Sequence, residues 1–491
     1  ILKKETEVVV DGQRVPAPEG LEIEMDEDGG ATLDFDPREA LPEIEFYSNL
    51  AEVIDDRDLA ELSDELMGDF ESDKSSRKEW EDAYIKGLGL LGIKYEERTN
   101  PFRGASSATH PLLAESATQF QATAFKELLP AGGPVRTVIM GDETPEKYAR
   151  AGRVQEFMNF QLMNKMEDYT PEYDQMLFYL PLAGSTFKKV YYDELMERPV
   201  SKFVPAEDLV VNYLSTDLDN CERICHVINM SYNDFRKKQV SGFYKDVDIL
   251  PQEAEENDVQ KKYNELQGTK PSYADKVVRL YEFHTSIDLK DFEDKDDSGE
   301  MTGIKIPYIV TVEEGSSQVV GIRRNYEKDD PKKMKKQYFV QYKFLPGLGF
   351  YGFGLIHLIG GLSRTATDIL RQLLDAGTLS NLPAGFKSRG IRMRDDADPL
   401  QPGEFRDIDA PNGDLRNSFM PLPYKEPSQT LYSLLGFVVQ AGQRFASIAD
   451  MQVGDANQQA PVGTTIALLE RTRNISLFCG GCRSHYQSRR L

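Results

Sequence analysis

At 491 residues and 55.6 kDa, with 40% hydrophobic and 29% charged residues, the chain can bury one or more sizeable cores; it is neither a disulfide miniprotein nor a low-complexity polymer. The formal net charge of -24 is local: residues 1–73 hold 24 Asp and Glu against 5 Lys and Arg, a net of -19, which leaves -5 for the rest. That excludes the N-terminal segment, rather than the chain, as a phosphate-binding surface.

Four Cys without regular spacing fit a reducing compartment. The longest apolar stretches, GLIHLIGGL and LLGFVVQAG, fall well short of the roughly 20 residues a membrane span needs, so no membrane partner is expected. The chain opens at Ile1 rather than Met and without a charged-then-apolar leader, so no secretory signal is expected and residues are expected to precede it.

From Val8 to Asp36 the alternation of apolar and polar residues around turn signals predicts one or two hairpins, against the alternative of an acidic tail. Acidic helices are expected over 49–73 and 75–90. A loop from Asn100-Pro101 leads to a helix starting near Pro111 and stopped by Pro130. VRTVIM (135–140) reads as a strand, and Thr144-Pro145 as a cap-then-Pro helix start. A helix over 171–182 turns through AGS into the strand FKKVYYD and then FVPAEDLVV, while NCERICHVINM reads as a buried strand. Residues 232–275 read as helical and polar, and 276–345 as strands broken by charged linkers. Helices and strand pairs without steady alternation indicate an α+β fold.

Two helices of another kind follow. In 353–378, Leu355, Ile359, Leu362, Ala366, Ile369 and Leu373 advance by alternating steps of four and three; in 428–449, Leu431, Leu434, Val438, Ala441, Phe445 and Ile448 do the same. Each is a narrow stripe of period 3.5, the pattern of a helix packing lengthwise on others. They bracket a Pro/Gly-rich module at 381–427.

Candidate chemistry is sparse. Gly347-Leu-Gly349-Phe-Tyr-Gly352 matches a dinucleotide fingerprint, but Pro346 precedes it, two rings would crowd a pyrophosphate, and no second parallel strand follows in time; a hinge entering the helix is the better reading. Cys221, Cys225 and His226 with Cys479, Cys482 and His485 could make a tetrahedral zinc site, but the clusters lie over 250 residues apart and the first is more simply core. With no nucleophile elbow, no phosphate-binding loop ending in Lys-Ser/Thr, and carboxylates clustered in turn-rich polar contexts, neither catalysis nor a cofactor is expected.

The blocks THPLLAESATQFQATAFKELLPAGGPVRTVIMG (109–141), AGSTFKKVYYDE with FVPAEDLVVNY (183–213), and the order of elements from Gly352 onward resemble the portal proteins of tailed double-stranded DNA bacteriophages, over roughly residues 75–476. The resemblance implies a homo-oligomeric ring, usually of twelve subunits, at one capsid vertex, through which the genome is packaged and ejected. It implies an acidic N-terminal arm (1–74), a wing (75–350), a first stem helix (351–380), a clip (381–427), a second stem helix (428–449), a tunnel loop (450–463), and the start of a long helix toward wing and crown with an atypical tail (464–491). Ring packing would fall to Leu355, Ile359, Leu362, Ile369, Leu373, Leu434, Val438 and Phe445. The clip would dock the terminase large subunit and later head-tail adaptor or tail proteins through Arg389, Arg392, Arg394 and Arg406, and the ring would contact the major capsid protein. Gln452, Val453, Asp455, Asn457, Gln458 and Gln459 would line the DNA channel; the absence of Lys and Arg from 450–463 suits a duplex that must slide without sequence specificity. Localisation would be the virion, with the host cytoplasm during assembly. An adaptor or scaffold protein sharing long helices, and a dinucleotide-dependent enzyme, are the competing readings.

Overall fold

The computed structural model describes residues 45–446, apart from 95–97, 103, 194–195, 251, 254–255, 271–275, 296–300, 382–384, 388–391, 394–407 and 410–418, together with the backbone of four strands nearer the N-terminus. Those strands, β1 (Glu7–Val10), β2 (Gln13–Pro16), β3 (Glu22–Met25) and β4 (Ala31–Asp34), pair in sequence as two antiparallel hairpins. The alternating segments of the sequence are therefore strands.

Helices α1 (Asp56–Ser76) and α2 (Lys78–Leu88) follow; Asp55 caps α1 by accepting from the Arg57 N–H. Next come α3 (Leu112–Leu128), α4 (Pro145–Phe160) and α5 (Tyr169–Ala183). Thr144 caps α4 with Pro145 in its first turn, as the sequence implies. Gly184, in the left-handed region, ends α5 and opens β5 (Ser185–Asp193), β6 (Arg198–Val204), β7 (Leu209–Val211) and β8 (Arg223–Ser231). The stretch expected to be helical from 232 is so only in part: α6 (Tyr232–Val240), the short β9 (Gln252–Glu253) and α7 (Asp258–Gln267). Strands β10 (Lys276–Ile287), β11 (Ile306–Glu313), β12 (Val319–Arg324) and β13 (Phe339–Lys343) lead to the long helix α8 (Leu355–Asn381). Four short strands, β14 (Gly385–Lys387), β15 (Arg392–Met393), β16 (Ile408–Asp409) and β17 (Phe419–Pro421), precede α9 (Gln429–Ala446).

Two antiparallel sheets form the body, which makes the chain α+β. One has the order β12-β11-β10-β8-β7, with β9 added beside β10; the other is β13-β5-β6. Helix α1 lays Leu59, Leu66 and Phe70 on the larger sheet against Tyr281, Phe283, Tyr308 and Val312. The expected boundary at residue 74 therefore does not separate an arm from a wing: an acidic helix with one apolar stripe buries that stripe like any other. A second core joins Tyr84 and Leu88 of α2, Leu112 and Leu113 of α3, Phe187 of β5 and the start of α8. Residues 135–140, expected as a strand, form no regular element and join no sheet. The N–H groups of Val135 and Thr137 donate instead to Asn159 Oδ1 and Gln155 Oε1 on α4. Side-chain acceptors satisfy the backbone there, a solution that strand-like alternation cannot reveal.

The two sheets are tied by charge. Lys189 of β5 places Nζ 2.6 and 2.7 Å from the two carboxylate oxygens of Glu282 on β10, and His284 Nε2 lies 2.6 Å from the same carboxylate. Burial works against the Glu282 charge, yet Lys189 and His284 outweigh it and hold the carboxyl well below the usual glutamate range. Glu282 thus contributes stability that is present above the unfolded glutamate range and lost as pH falls through its depressed value. Lys189→Met leaves a buried carboxylate without its cation and should cost about 3–5 kcal/mol at neutral pH, with the loss shrinking in acid; denaturant melts at two pH values check both. A pH-independent loss would contradict the assignment.

Candidate functional site

The glycine-rich turn before α8 is a packing joint. A Cβ at Gly347 would sit 1.9 Å from the Tyr351 carbonyl oxygen, at Gly352 2.5 Å from that of Gly184, and at Gly354 2.4 Å from that of Leu182. Leu345 and Phe353 exchange backbone hydrogen bonds across the turn. Phe350 is buried in a stack on Phe187, while Tyr351 stacks on Trp80 and shares hydrogen bonds with Arg77 and the Leu209 carbonyl. Two of the three fingerprint glycines, Gly347 and Gly352, are thus pressed on backbone, whereas Gly349 has open space beside it, and the two rings between them are taken up in packing. The expected hinge is replaced by a joint with no slack. Gly354→Ala should destabilise the chain by about 1–3 kcal/mol, read as a lowered thermal midpoint, because its nearest neighbours are carbonyls rather than movable side chains.

From this joint α8 runs 27 residues, about 40 Å at 1.5 Å per residue, and its two halves have different surroundings. Gly354 N–H donates to His357 Nδ1 in the first turn. Leu355, Ile356 and Ile359 are buried in the core with Leu88 and Leu112. Beyond Leu362 the stripe Ala366, Ile369 and Leu373 packs on Leu431, Leu435, Val438 and Val439 of α9. Gly377 lies against Pro427, just before α9 begins, and Gly442 near the other end of α9 lies against Leu112, so the helices run antiparallel. A polar row on another face of α8 is clamped by the segment before α3: Thr367 Oγ1 accepts from His110 N–H, Arg371 Nε donates to the Ala108 carbonyl, and Asp375 Oδ1 accepts from Ser106 N–H at 2.6 Å. The sequence reading missed this row, although its spacing of four residues was there to find.

Of the eight residues expected to pack a ring, six are used inside the chain. Leu355 and Ile359 root α8, and Leu362, Ile369, Leu373 and Val438 make the α8–α9 seam; a narrow stripe identifies a lengthwise contact without saying whose. The seam on α9 is also rotated toward Leu435, Val439 and Gly442. That leaves Leu434 and Phe445 outside it, 43% and 55% exposed, with Phe437, 69% exposed, between them on the same face. A second uncovered surface lies on α4, which has no buried residue and displays Tyr148, Phe157 and Phe160 beside the exposed Val138 and Met140.

In the module between the helices β14 pairs with β17, and β15 with β16, placing Arg392 opposite Asp409 in backbone register. Arg389, Arg394 and Arg406, and the expected channel residues Gln452, Val453, Asp455, Asn457, Gln458 and Gln459, lie outside the described residues, as do Cys479, Cys482 and His485. Cys221 and Cys225 are free thiols buried in the body, and burial raises both above the ordinary thiol value. Among the described residues no helix is long and apolar enough to cross a membrane. No protein-family model matches the chain, and no curated protein matches its sequence.

The two faces of α9 should respond differently to truncation. Ile369→Ala in the seam is expected to cost about 2–5 kcal/mol in a denaturant melt. Leu434→Ala on the open face should change the stability of the dispersed chain by less than about 0.5 kcal/mol. Equal losses at both positions would mean that α9 is covered on both sides.

Proposed function

We propose that this chain is a subunit of a ring-shaped DNA conduit of the portal type, a structural protein without catalysis of its own. The observation that carries the reading is the open stripe Leu434, Phe437 and Phe445 on α9, the outer helix of an antiparallel pair that brackets a small strand-rich module. An apolar stripe on a helix whose other side is already packed calls for a neighbour. A ring supplies one from the adjacent copy, because heterologous contacts that close on themselves generate rings. The exposed aromatic residues of α4 offer a second contact of the same kind, on an element held to the body by little apolar burial of its own.

The length of α8 suits a channel wall, and the sequence blocks at 109–141 and 183–213 support the same family. On this reading the module at 381–427 is the clip that meets the packaging terminase and then a tail adaptor, the neutral-to-acidic segment 450–463 faces the duplex, and the particle sits at one capsid vertex.

Negative-stain images of the purified chain should show closed rings of about twelve copies with a central opening. The double variant Leu434→Asp with Phe437→Asp should keep the circular dichroism spectrum and melting midpoint of the parent yet remain dispersed. A monomer at every concentration for the parent, or rings unaffected by the double variant, would overturn the reading.

A further inference from the structure

The segment between β6 and β7 carries a feature that ring assembly does not use. Ala206–Asp208 form a single 3-10 turn, and its Glu207 and Asp208 line a cavity of about 260 Å3 together with Glu172 and the rings of Tyr179, Phe203 and Tyr263. Glu207 is 6% exposed, and its Oε2 is buried without a hydrogen-bond partner. Tyr263, whose hydroxyl lies 2.9 Å from that of Tyr84, lines the same cavity. A carboxylate oxygen withdrawn from water without a donor is costly, and the cost is removed by whatever donates to it.

Among the described residues, the cations beside this turn make most of their contacts with other groups. Arg77 turns its guanidinium to the carbonyls of Ala206, Glu207 and Leu209 and pairs with Glu81 at 2.7 Å. Arg279 pairs with Glu314 at 3.2 Å. Lys74 lies over the Phe70 ring in a smaller cleft on the far side of Glu207 and Asp208. Arg77 thus holds the backbone of the turn, and Glu207 and Asp208 line both the cavity and the smaller cleft.

The walls define what would fit. Tyr179 and Phe203 have ring centroids 5.3 Å apart, and Tyr179 and Tyr263 meet edge to face at 5.6 Å, so three rings stand beside the acids. The described residues contain no group of three carboxylate, imidazole or thiol ligands placed to share one metal ion. Acids spread around an aromatic cup suit a cation that is itself extended, with several N–H donors and an alkyl stem that packs on ring faces.

We infer that this cavity binds an organic ammonium group, the end of a free polyamine or of a lysine side chain from another protein. The ion would donate to Glu207 and Asp208, with Glu172 beside them, and lay its stem on the rings of Tyr179, Phe203 and Tyr263. The inference is independent of the ring reading. The titration of the site fits it. Burial, and for Glu207 also the charge of Asp208, raises both carboxyl groups above their ordinary values, although Arg77 opposes this at both and Arg279 at Asp208. Without a bound cation they resist ionising, so the stability they contribute is complete below the unfolded carboxylate range and is lost as pH rises through their raised values. A bound ammonium reverses that cost, so its uptake releases protons and strengthens with pH.

Isothermal titration calorimetry on the whole chain, with putrescine and with N-acetyl-lysinamide at constant ionic strength, tests this. At mildly alkaline pH at least one of the amines should bind, about tenfold or more tighter than in mild acid. Glu207→Gln should weaken binding about tenfold or more while its melting midpoint in alkali equals or exceeds that of the parent, which shows an intact fold. Binding of putrescine alone assigns the site to free polyamines; binding of the capped lysine as well opens it to a protein side chain. No heat from either amine at millimolar concentration, binding unchanged in Glu207→Gln, or magnesium chloride binding in their place with the same dependence on Glu207 would overturn the proposal.

Discussion

The arrangement depends on a mismatch of reach. Helix α8 is about 40 Å long, whereas the core that receives its first turns extends only to the neighbourhood of Leu362. An apolar stripe that outruns its core must find cover or stay wet, and at roughly 25 cal/mol per Å2 several exposed aliphatic side chains are a substantial loss. Helix α9 provides that cover. Its sequence must return antiparallel along the projecting half of α8, which fixes the module between them at the far end. The clamp of residues 106–110 on Thr367, Arg371 and Asp375 braces the same projecting half from another side.

Covering one stripe exposes another. A single helix laid on α8 buries Leu431, Leu435, Val438 and Val439 and turns Leu434, Phe437 and Phe445 outward. The same partition appears in the body: α1 and α2 are consumed by cores, whereas α4 contributes nothing to one. Exposed apolar stripes are thus segregated from the elements that build the cores of the body.

Much of this was legible in the residues. Cap-then-Pro at Thr144-Pro145, the Gly184 turn, the alternating strands from 276 to 343 and the two helices of period 3.5 all appear where their patterns place them. What escaped is non-local. Nothing in the stripe Leu355 to Leu373 says that its first two members meet α2 and α3 while the rest meet α9. Nothing in VRTVIM says that Asn159 and Gln155 will take its N–H groups. The acidity of 49–73 concealed that Leu59, Leu66 and Phe70 belong to a core. The carboxylates of FVPAEDLVV drew no notice in the sequence, because their burial is created by elements far apart in the chain, among them α5 and α7. Charge counting reads composition; enclosure is a property of the fold.

The joint at Gly352 and Gly354 has a mechanical corollary. Side chains absorb displacement by changing rotamer, but carbonyl groups in van der Waals contact have no such freedom. The foot of α8 is therefore seated on the α5–β5 corner, and through β5 on the sheet whose Lys189 grips Glu282 across the body. Close backbone contact at Gly352 and Gly354 leaves the foot of the long helix little room to pivot, where a spacing of glycines would otherwise suggest a hinge.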